Sequence, residues 1–367
     1  MDWKNTGYQY DIGVNVIHQT NVNDKLGSLS GVQINGMTIT ENYYSDSRIQ
    51  AKVKTVVKEG EDDGYIENAR LRVILSVPDR SFFEELITGY VSDVDETHDK
   101  GYVQRTYTVE GTLWGLLEHK MDYPVVIAVG ASMLDVWENL MMFQTKMQYS
   151  TAGAQDHSFA NTVLYEPGSN LSTILFELSS GYSRMNVNGH GVVTLTKYTA
   201  PSKMTPIRTI DYNDLRGLAM TPLTKNSAKY EAPGRAVVTA TISKEENGQT
   251  KQEVIAGSYD APSTHPTSIS VRGYLRGRTD SYNGTIEKPS KQDLAAEARK
   301  NWEDAQDKGV EWTASTVFAD YHAGEVCSLI LPTGYANQRK TSMVKVLVSQ
   351  VTTNLDTMVQ ELTLKEV

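Results

Sequence analysis

The 367-residue chain reads as a mainly β protein interrupted by helical inserts. Three observations predict this class. Residues 1–118 carry period-two apolar patterns punctuated by turn signals. Segments at 132–141, 171–178 and 294–305 switch to helical periodicity. After residue 207 the period-two pattern returns and runs to the C-terminus. Alternation marks strands with one buried face, whereas apolar residues at i, i+3, i+4 and i+7 mark one face of a helix.

In the first section Val32, Ile34, Met37 and Ile39 alternate around Asn35-Gly36, a hairpin signal. Arg48 to Val57 places Ile49, Ala51, Val53 and Thr55 on one face. Glu61-Asp62-Asp63-Gly64 reads as a solvated turn. Leu71 to Val77 is nearly continuous apolar, as a centrally buried strand is. Ile87 to Val91 and Tyr102 to Val109 are further strands, separated by an acidic loop from Asp93 to Lys100. Short strands at regular spacing make a sandwich or a barrel, and the reading favours a small barrel.

The helical segments have recognisable ends. Ser132 with Asp135 three residues on forms a capping box. Met133, Val136, Trp137, Leu140 and Met141 follow as one apolar face, which reads as core or as an oligomer contact. A second helix starts at Asn170, carries Leu171, Ile174, Leu175 and Leu178, and stops at Gly181. Met185 to Tyr198 reads as a hairpin turning at Asn188-Gly189, with Val193 and Leu195 inward. Residues 119–207 thus form a small α+β domain that closes in the linker Pro201 to Pro206. Beyond it, Arg235 to Ile242, Met343 to Val351 and Val359 to Val367 are strand segments. Between them lie Tyr259-Asp260-Ala261-Pro262, His265-Pro266 and the Gly/Arg segment Arg272 to Arg278. Pro289, the cap Ser290 and Asp293 open a last helix, and Gly309 follows its final turn. Its stripe of Leu294, Ala298, Trp302 and Ala305 reads as an anchor against a neighbouring β section.

Composition excludes several function classes. The length suits two or three domains, and 39% hydrophobic with 22% charged residues is the balance of a soluble globular chain. With 35 basic and 45 acidic residues the net charge is −10, which argues against an extended basic surface for nucleic acid. No apolar run approaches the roughly 20 residues of a membrane helix. Met1-Asp2-Trp3-Lys4 lacks the apolar stretch of a secretory signal. The single cysteine, Cys327, rules out intrachain disulfides and multi-cysteine metal sites.

Catalytic signatures fail one by one. Gly189-His190-Gly191 begins like a phosphate-cradling loop but continues Val-Val-Thr within a strand. There is no Gly-x-Ser-x-Gly elbow. Cys327, in Val326-Cys327-Ser328-Leu329, reads as a buried small hydrophobe. The seven histidines (18, 98, 119, 157, 190, 265 and 322) show no His-Glu-x-x-His spacing. Asp93, Asp95, Thr97 and Asp99 resemble a calcium loop, yet His98 stands where the sixth-position Gly belongs and Gln104 where the closing Glu belongs. Arg272, Arg276 and Arg278, near Tyr274 and Tyr282, make either an exposed loop balanced by Asp280 and Glu287 or a contact for an anion or acidic partner. The sequence therefore assigns no catalytic, cofactor-binding or metal residue, and no cofactor.

Three groups of segments, in order, carry a resemblance. The first holds Ser30-Gly31-Val32-Gln33-Ile34-Asn35-Gly36, Leu86-Ile87-Thr88-Gly89-Tyr90-Val91 and Thr106-Tyr107-Thr108-Val109-Glu110-Gly111. The second holds the capped helix at Ser132, Leu171-x-x-Ile174-Leu175 and Val187-Asn188-Gly189-His190-Gly191-Val192-Val193-Thr194-Leu195. The third holds the helix Leu294 to Lys308, Val310-Glu311-Trp312, His322-Ala323-Gly324-Glu325-Val326-Cys327-Ser328-Leu329 and the final Val359 to Leu364. Together they resemble the baseplate or tail-tip hub proteins of tailed bacteriophages, the VgrG-like and late-control-protein-D-like hubs. Glu325 replaces the family's usual Asp in the third group, and the usual Pro is absent.

The resemblance implies two small β-barrel tube domains, 1–118 and 208–245 with 311–367, and two insert domains, α+β at 119–207 and loop-helix at 246–310. It implies a homotrimeric, non-enzymatic hub that adapts a six-fold tail tube to a three-fold tip and lines a channel for DNA. Its partners would be a tail-tube or distal tail protein ring, the tape-measure protein, tip, spike or fibre proteins, and passing DNA without specific binding. It would be made in the bacterial host cytoplasm and reside in the virion. The net negative charge suggests a lumen lined by acids and neutral polar residues, with Glu61-Asp62-Asp63 and Asp93-Asp95 as candidates. Two other readings are a carbohydrate-binding attachment module, with Trp3, Trp137 or exposed tyrosines as platforms, and a cell-wall-degrading tail enzyme.

Overall fold

The computed structural model describes residues 10–45, 47–78, 81–212, 223–227, 233–246, 249–265, 267–282, 289–306, 310–331 and 343–367. Gly309, Glu287, Pro266 and Trp3 lie outside them. The chain is mainly β and divides into two compact units, residues 1–223 with 314–364 and residues 224–313 with 365–367.

The first β section comprises β1 (Asp11–Ile17), β2 (Lys25–Ser28), β3 (Val32–Asn42), β4 (Ile49–Lys58), β5 (Arg70–Val77), β6 (Phe82–Asp99) and β7 (Tyr102–Gly111). Their order is β3-β4-β7-β6-β5-β1-β2, with every pair antiparallel. β5 is the expected central strand, and Leu71, Val73, Leu75 and Val77 are fully buried on it. Of the expected face of β4, Ala51, Val53 and Thr55 are buried and Ile49 half-buried, and Val57 extends the inward row.

Three local expectations are corrected. Asn35-Gly36 is not a hairpin. Gln33 pairs with Lys54 and Thr38 with Lys52, so residues 34–37 form a bulge opposite Val53. Burial of Met37 and Ile39 fixes the register and overrides the turn signal, leaving Ile34 exposed. Nor is Asp93 to Lys100 a loop. β6 pairs with β7 down to Asp99↔Tyr102, and the turn is Lys100-Gly101, whose φ values of 49° and 80° suit a type I′ hairpin. An exposed edge tolerates charge, so acidity there was no evidence against a strand. The third correction is Asp63, which lies not in solvent but in the interior, 1% exposed.

An α+β segment follows: α1 (Trp114–Glu118), β8 (Val125–Ile127), α2 (Met133–Gln144), β9 (Tyr149–Ser150), β10 (Val163–Tyr165), α3 (Leu171–Ser179), β11 (Ser183–Val187) and β12 (Val193–Lys197). Ser132 Oγ caps α2 by accepting from the Asp135 amide at 3.2 Å. Trp137, Met141, Leu171, Ile174, Leu175, Met185, Val193 and Leu195 share one core, so Trp137 is core rather than a surface platform. β11 and β12 form the expected hairpin.

β13 (Arg208–Asp211) leads out of this segment. Within the second unit lie β14 (Thr224–Ser227), β15 (Arg235–Glu246), β16 (Gln249–Asp260), α4 (Ile269–Arg272), β17 (Gly277–Ser281), α5 (Lys291–Gln306) and the start of β18 (Val310–Val317). β15 pairs with β16 and β17 in a three-stranded sheet of its own, not with the large sheet. α5 has a full capping box: Ser290 N–H donates to Asp293 Oδ2 at 2.8 Å and Asp293 N–H to Ser290 Oγ at 3.2 Å. Its Leu294, Ala298 and Trp302 pack on Ala236, Val238 and Ile255 of that sheet, and Trp302 Nε1 donates to the Pro233 carbonyl at 3.0 Å. Trp302 is thus the β-sheet anchor that its stripe predicted.

The large sheet is completed by β18 from Ala314 onward, β19 (Val326–Ile330), β20 (Met343–Asn354) and β21 (Val359–Glu366). β20 pairs with β3, from Gln350↔Asn42 to Asn354↔Thr38. The two β sections expected as separate barrels therefore share one sheet, and among the described residues no barrel closes. Pairing β3 with β20 satisfies two edges that separate sheets would leave open.

Candidate functional site: a polar sheet face and the junctions behind it

Registers place successive residues of five strands in rows. Thr353, Ile39, Ala51, Val109 and Val91 form an inward row, and the first four are at most 5% exposed. The adjacent outward row, Asn354-Thr38-Lys52-Thr108-Asp93, is wholly polar. The next rows repeat the pattern with Lys54-Thr106-Asp95 and Thr352-Thr40-Gln50-Glu110. Thr, Gln and Asn dominate, with lysines on β4 balanced by acids on β6 and β7. This face crosses from β20 to β7 without an apolar interruption in these rows, the third of which meets Tyr90 on β6.

Behind it, Asp63 anchors the sheet. Its carboxylate accepts from Tyr107 Oη at 2.6 Å, Thr55 Oγ1 at 2.7 Å and the Tyr65 amide at 3.2 Å, and pairs with Arg105 at 3.2 Å. Burial pushes its pKa upward, but these hydrogen bonds and the Arg105 charge outweigh burial and hold it below the usual carboxylate value. Asp63 is therefore a structural anion and lines no lumen, whereas Glu61, Asp62, Asp93 and Asp95 are exposed.

A second junction uses the segment that mimicked a phosphate loop. Thr88 Oγ1 donates to the Gly189 carbonyl at 2.7 Å, and Arg72 donates to the His190 carbonyl at 3.1 Å. His190 Nδ1 meets Glu85 Oε2 at 2.5 Å. A Cβ on Gly189 would lie 1.7 Å from the Glu85 carbonyl oxygen, so the turn can dock on β6 only as glycine. Gly189-His190-Gly191 thus fastens the α+β segment to the sheet.

The third junction was missed by sequence. His322 Nδ1 lies 3.0 Å from Glu41 Oε1 on β3, while its Nε2 lies 3.0 Å from Asp320 and 3.2 Å from Glu84 on β6. Burial opposes the charge, yet these carboxylates outweigh it and hold the imidazole protonated far above its ordinary pKa. Each ring nitrogen faces a carboxylate, so the cluster ties β3 and β6 to the loop before β19 as a polar clamp. Only the side-chain types were legible; 281 residues separate Glu41 from His322, and no local spacing signals that. A cleft of about 840 Å³ opens beside the clamp, lined among others by Tyr43, Glu84, Arg184, Gly189 and His322.

The remaining residues singled out by sequence fall apart in space. Cys327 is fully buried and its thiol is pushed up to about 12, chiefly by burial. Arg276 and Arg278 are exposed, and Arg278 pairs with Asp280 at 2.9 Å. No nucleophile–base pair is assembled from them.

No protein-family model matches the chain, and no curated protein matches it. Solved structures do match. The 43 kDa tail protein of prophage MuSo2 from Shewanella oneidensis aligns with 98% of this chain and 98% of its own, at TM-score 0.64 and 10% identity. The tail protein from Neisseria meningitidis MC58 covers 98% and 97% at TM-score 0.62 and 13% identity. A chain of the Francisella PdpA-VgrG complex matches 99% of this chain with 53% of its own length, at TM-score 0.54 and 11% identity. The class defined is a tail-protein fold. Specifically, it is the fold shared by these tail proteins and a VgrG-complex chain, spanning nearly the whole of this one.

Proposed function

We propose that the chain is a structural tail-tip or baseplate hub of a tailed phage, acting as a homotrimer without catalysis. The observation that carries this is the β3–β20 pairing, which fuses two β sections into one broad wall. A trimer would place six such sections around an axis, matching the six-fold ring of a tail tube. The near-full-length likeness to tail proteins supports the same reading. The polar face of the wall would line the channel. Its Thr, Gln and Asn rows with balanced charge offer passing DNA no array of cations, so few counterions would be released and the genome would not be retained. Neighbours would be the tube or distal tail ring, the tape-measure protein and tip or fibre proteins.

Light scattering after size exclusion, alone and with the neighbouring tube protein, tests the assembly. A trimer or a mixed ring is expected. A strict monomer that also fails to enter a ring overturns the reading.

A further inference from the structure

We propose that the cleft beside the His322 clamp binds a carboxylate, held by the guanidinium of Arg184 and the polar face of the β11–β12 hairpin. The site lies wholly within the first compact unit and goes beyond the hub reading.

The hairpin sorts its side chains by face. Met185, Val193 and Leu195 enter the core, whereas Arg184, Asn186, Thr196 and Tyr198 line the cleft. Register sets Arg184 opposite Thr196, and Tyr198 is close enough to act on the guanidinium electrostatically. A cation, an amide and two hydroxyls thus share one wall, the kind of donor set that holds an oxyanion.

Arg184 has no acidic partner among the described residues. Its guanidinium carbon lies 3.2 Å from the centre of the Tyr43 ring, and Nη2 donates to the Tyr43 carbonyl at 3.0 Å. Its Nε is buried without an acceptor. With no carboxylate beside it, burial pulls the group down to about 10. Stacking covers a face of the guanidinium and leaves its in-plane N–H groups to be satisfied. A half-buried cation without a counter-charge is costly, and an anion entering the cleft offsets that cost.

The opposite wall fixes the sign and the size of the missing charge. Four carboxylates line the cleft, Glu41, Glu84, Glu85 and Glu325, and each already has a basic partner. Glu85 pairs with Arg72 at 2.9 Å, Glu325 with Arg208 at 2.9 Å, and Glu41 and Glu84 with His322 at 3.0 and 3.2 Å. None is spare for Arg184, so the uncompensated charge is positive. The same acids repel a dianion or a polyanion more than a monoanion, which favours a carboxylate over a phosphate or a nucleic acid. At about 840 Å³ the cleft takes a body larger than the carboxylate itself. An acidic residue on a protein segment and a free small monoacid share this chemistry.

The experiment titrates the full chain calorimetrically with acetyl-Ala-Glu-Ala-amide, its Gln counterpart, N-acetylglycine and inorganic phosphate. Arg184→Gln, Arg184→Lys and Tyr198→Phe are compared with the wild type, with thermal melts to verify folding. The Glu peptide should bind the wild type about tenfold or more tightly than the Gln peptide. Arg184→Gln should abolish that preference, and Arg184→Lys should weaken Glu-peptide binding about tenfold, because the ammonium lacks the planar fork. Tyr198→Phe, a change at a partly exposed ring, should weaken it about threefold. Tighter binding of the Glu peptide than of N-acetylglycine assigns the site to a protein segment, and equal binding assigns it to free acids; both uphold the carboxylate. Phosphate binding more tightly than either carboxylate overturns the inference. So does equal binding of the Glu and Gln peptides, binding that survives in folded Arg184→Gln, or no binding by any probe.

Discussion

The imidazole of His322 donates to the carboxylate of Glu41 at 3.0 Å, joining the loop before β19 to the end of β3. Glu84 and Asp320 share the other ring nitrogen, so one imidazole joins three carboxyl groups drawn from both β sections. The neighbouring Arg208–Glu325 pair, at 2.9 Å, repeats the device.

Replacing His322 by Gln should therefore destabilise the first unit, by about 1–2 kcal/mol given its partial exposure. The raised folded pKa sets the sign: the stabilisation is complete below the unfolded value of about 6.5 and fades as pH rises toward the folded one. Urea titrations of wild type and variant should diverge most in mild acid and converge in base. A constant gap across pH would argue that the imidazole contributes packing alone.

Asp63→Asn should cost about 3 kcal/mol, because Arg105 loses a buried counter-charge and two hydroxyl donors lose an anion. Here the folded pKa is depressed. The wild-type advantage should be full above the ordinary carboxylate value of about 3.9 and disappear as pH falls through the folded one. Chemical denaturation from neutral pH into acid measures it.

Gly189→Val should unseat the hairpin tip from β6, since its side chain would overlap the Glu85 carbonyl. A loss of roughly 2–4 kcal/mol is expected, with faster amide exchange at 188–192. Exchange as slow as in the wild type would show that the docked turn is not rigid.

Cys327→Ala should assemble normally and cost about 1 kcal/mol, the loss of one buried sulfur. In the wild type a thiol reagent should label Cys327 only at the rate of unfolding, because the group is buried and its thiolate disfavoured. Fast labelling of the folded chain would contradict its burial.

Thr106→Lys with Thr108→Lys tests the channel reading. Both side chains lie on the polar face, so stability should change by less than about 0.5 kcal/mol. Genome release from particles carrying the variant should slow, more so at low salt. Unchanged release kinetics in assembled particles would remove this face from the channel wall.

The sequence by itself determined what local chemistry controls. The buried β5, the inward row of β4, the capped helices at Ser132 and Ser290, the hairpin before Val193 and the burial of Cys327 follow from periodicity and caps, which act over a few residues. Tertiary structure decided the rest, because those choices depend on partners distant in the chain. Burial of Met37 turned an Asn-Gly hairpin signal into a bulge, and pairing with β7 turned an acidic loop into an edge strand. Thr55, Tyr107 and Arg105 drew Asp63 out of solvent. Pairing of β3 with β20 joined the two β sections in one sheet, and the clamp around His322 exists only once that sheet has formed. Side-chain type travels with the sequence, but which charges become neighbours is settled by which strands hydrogen-bond.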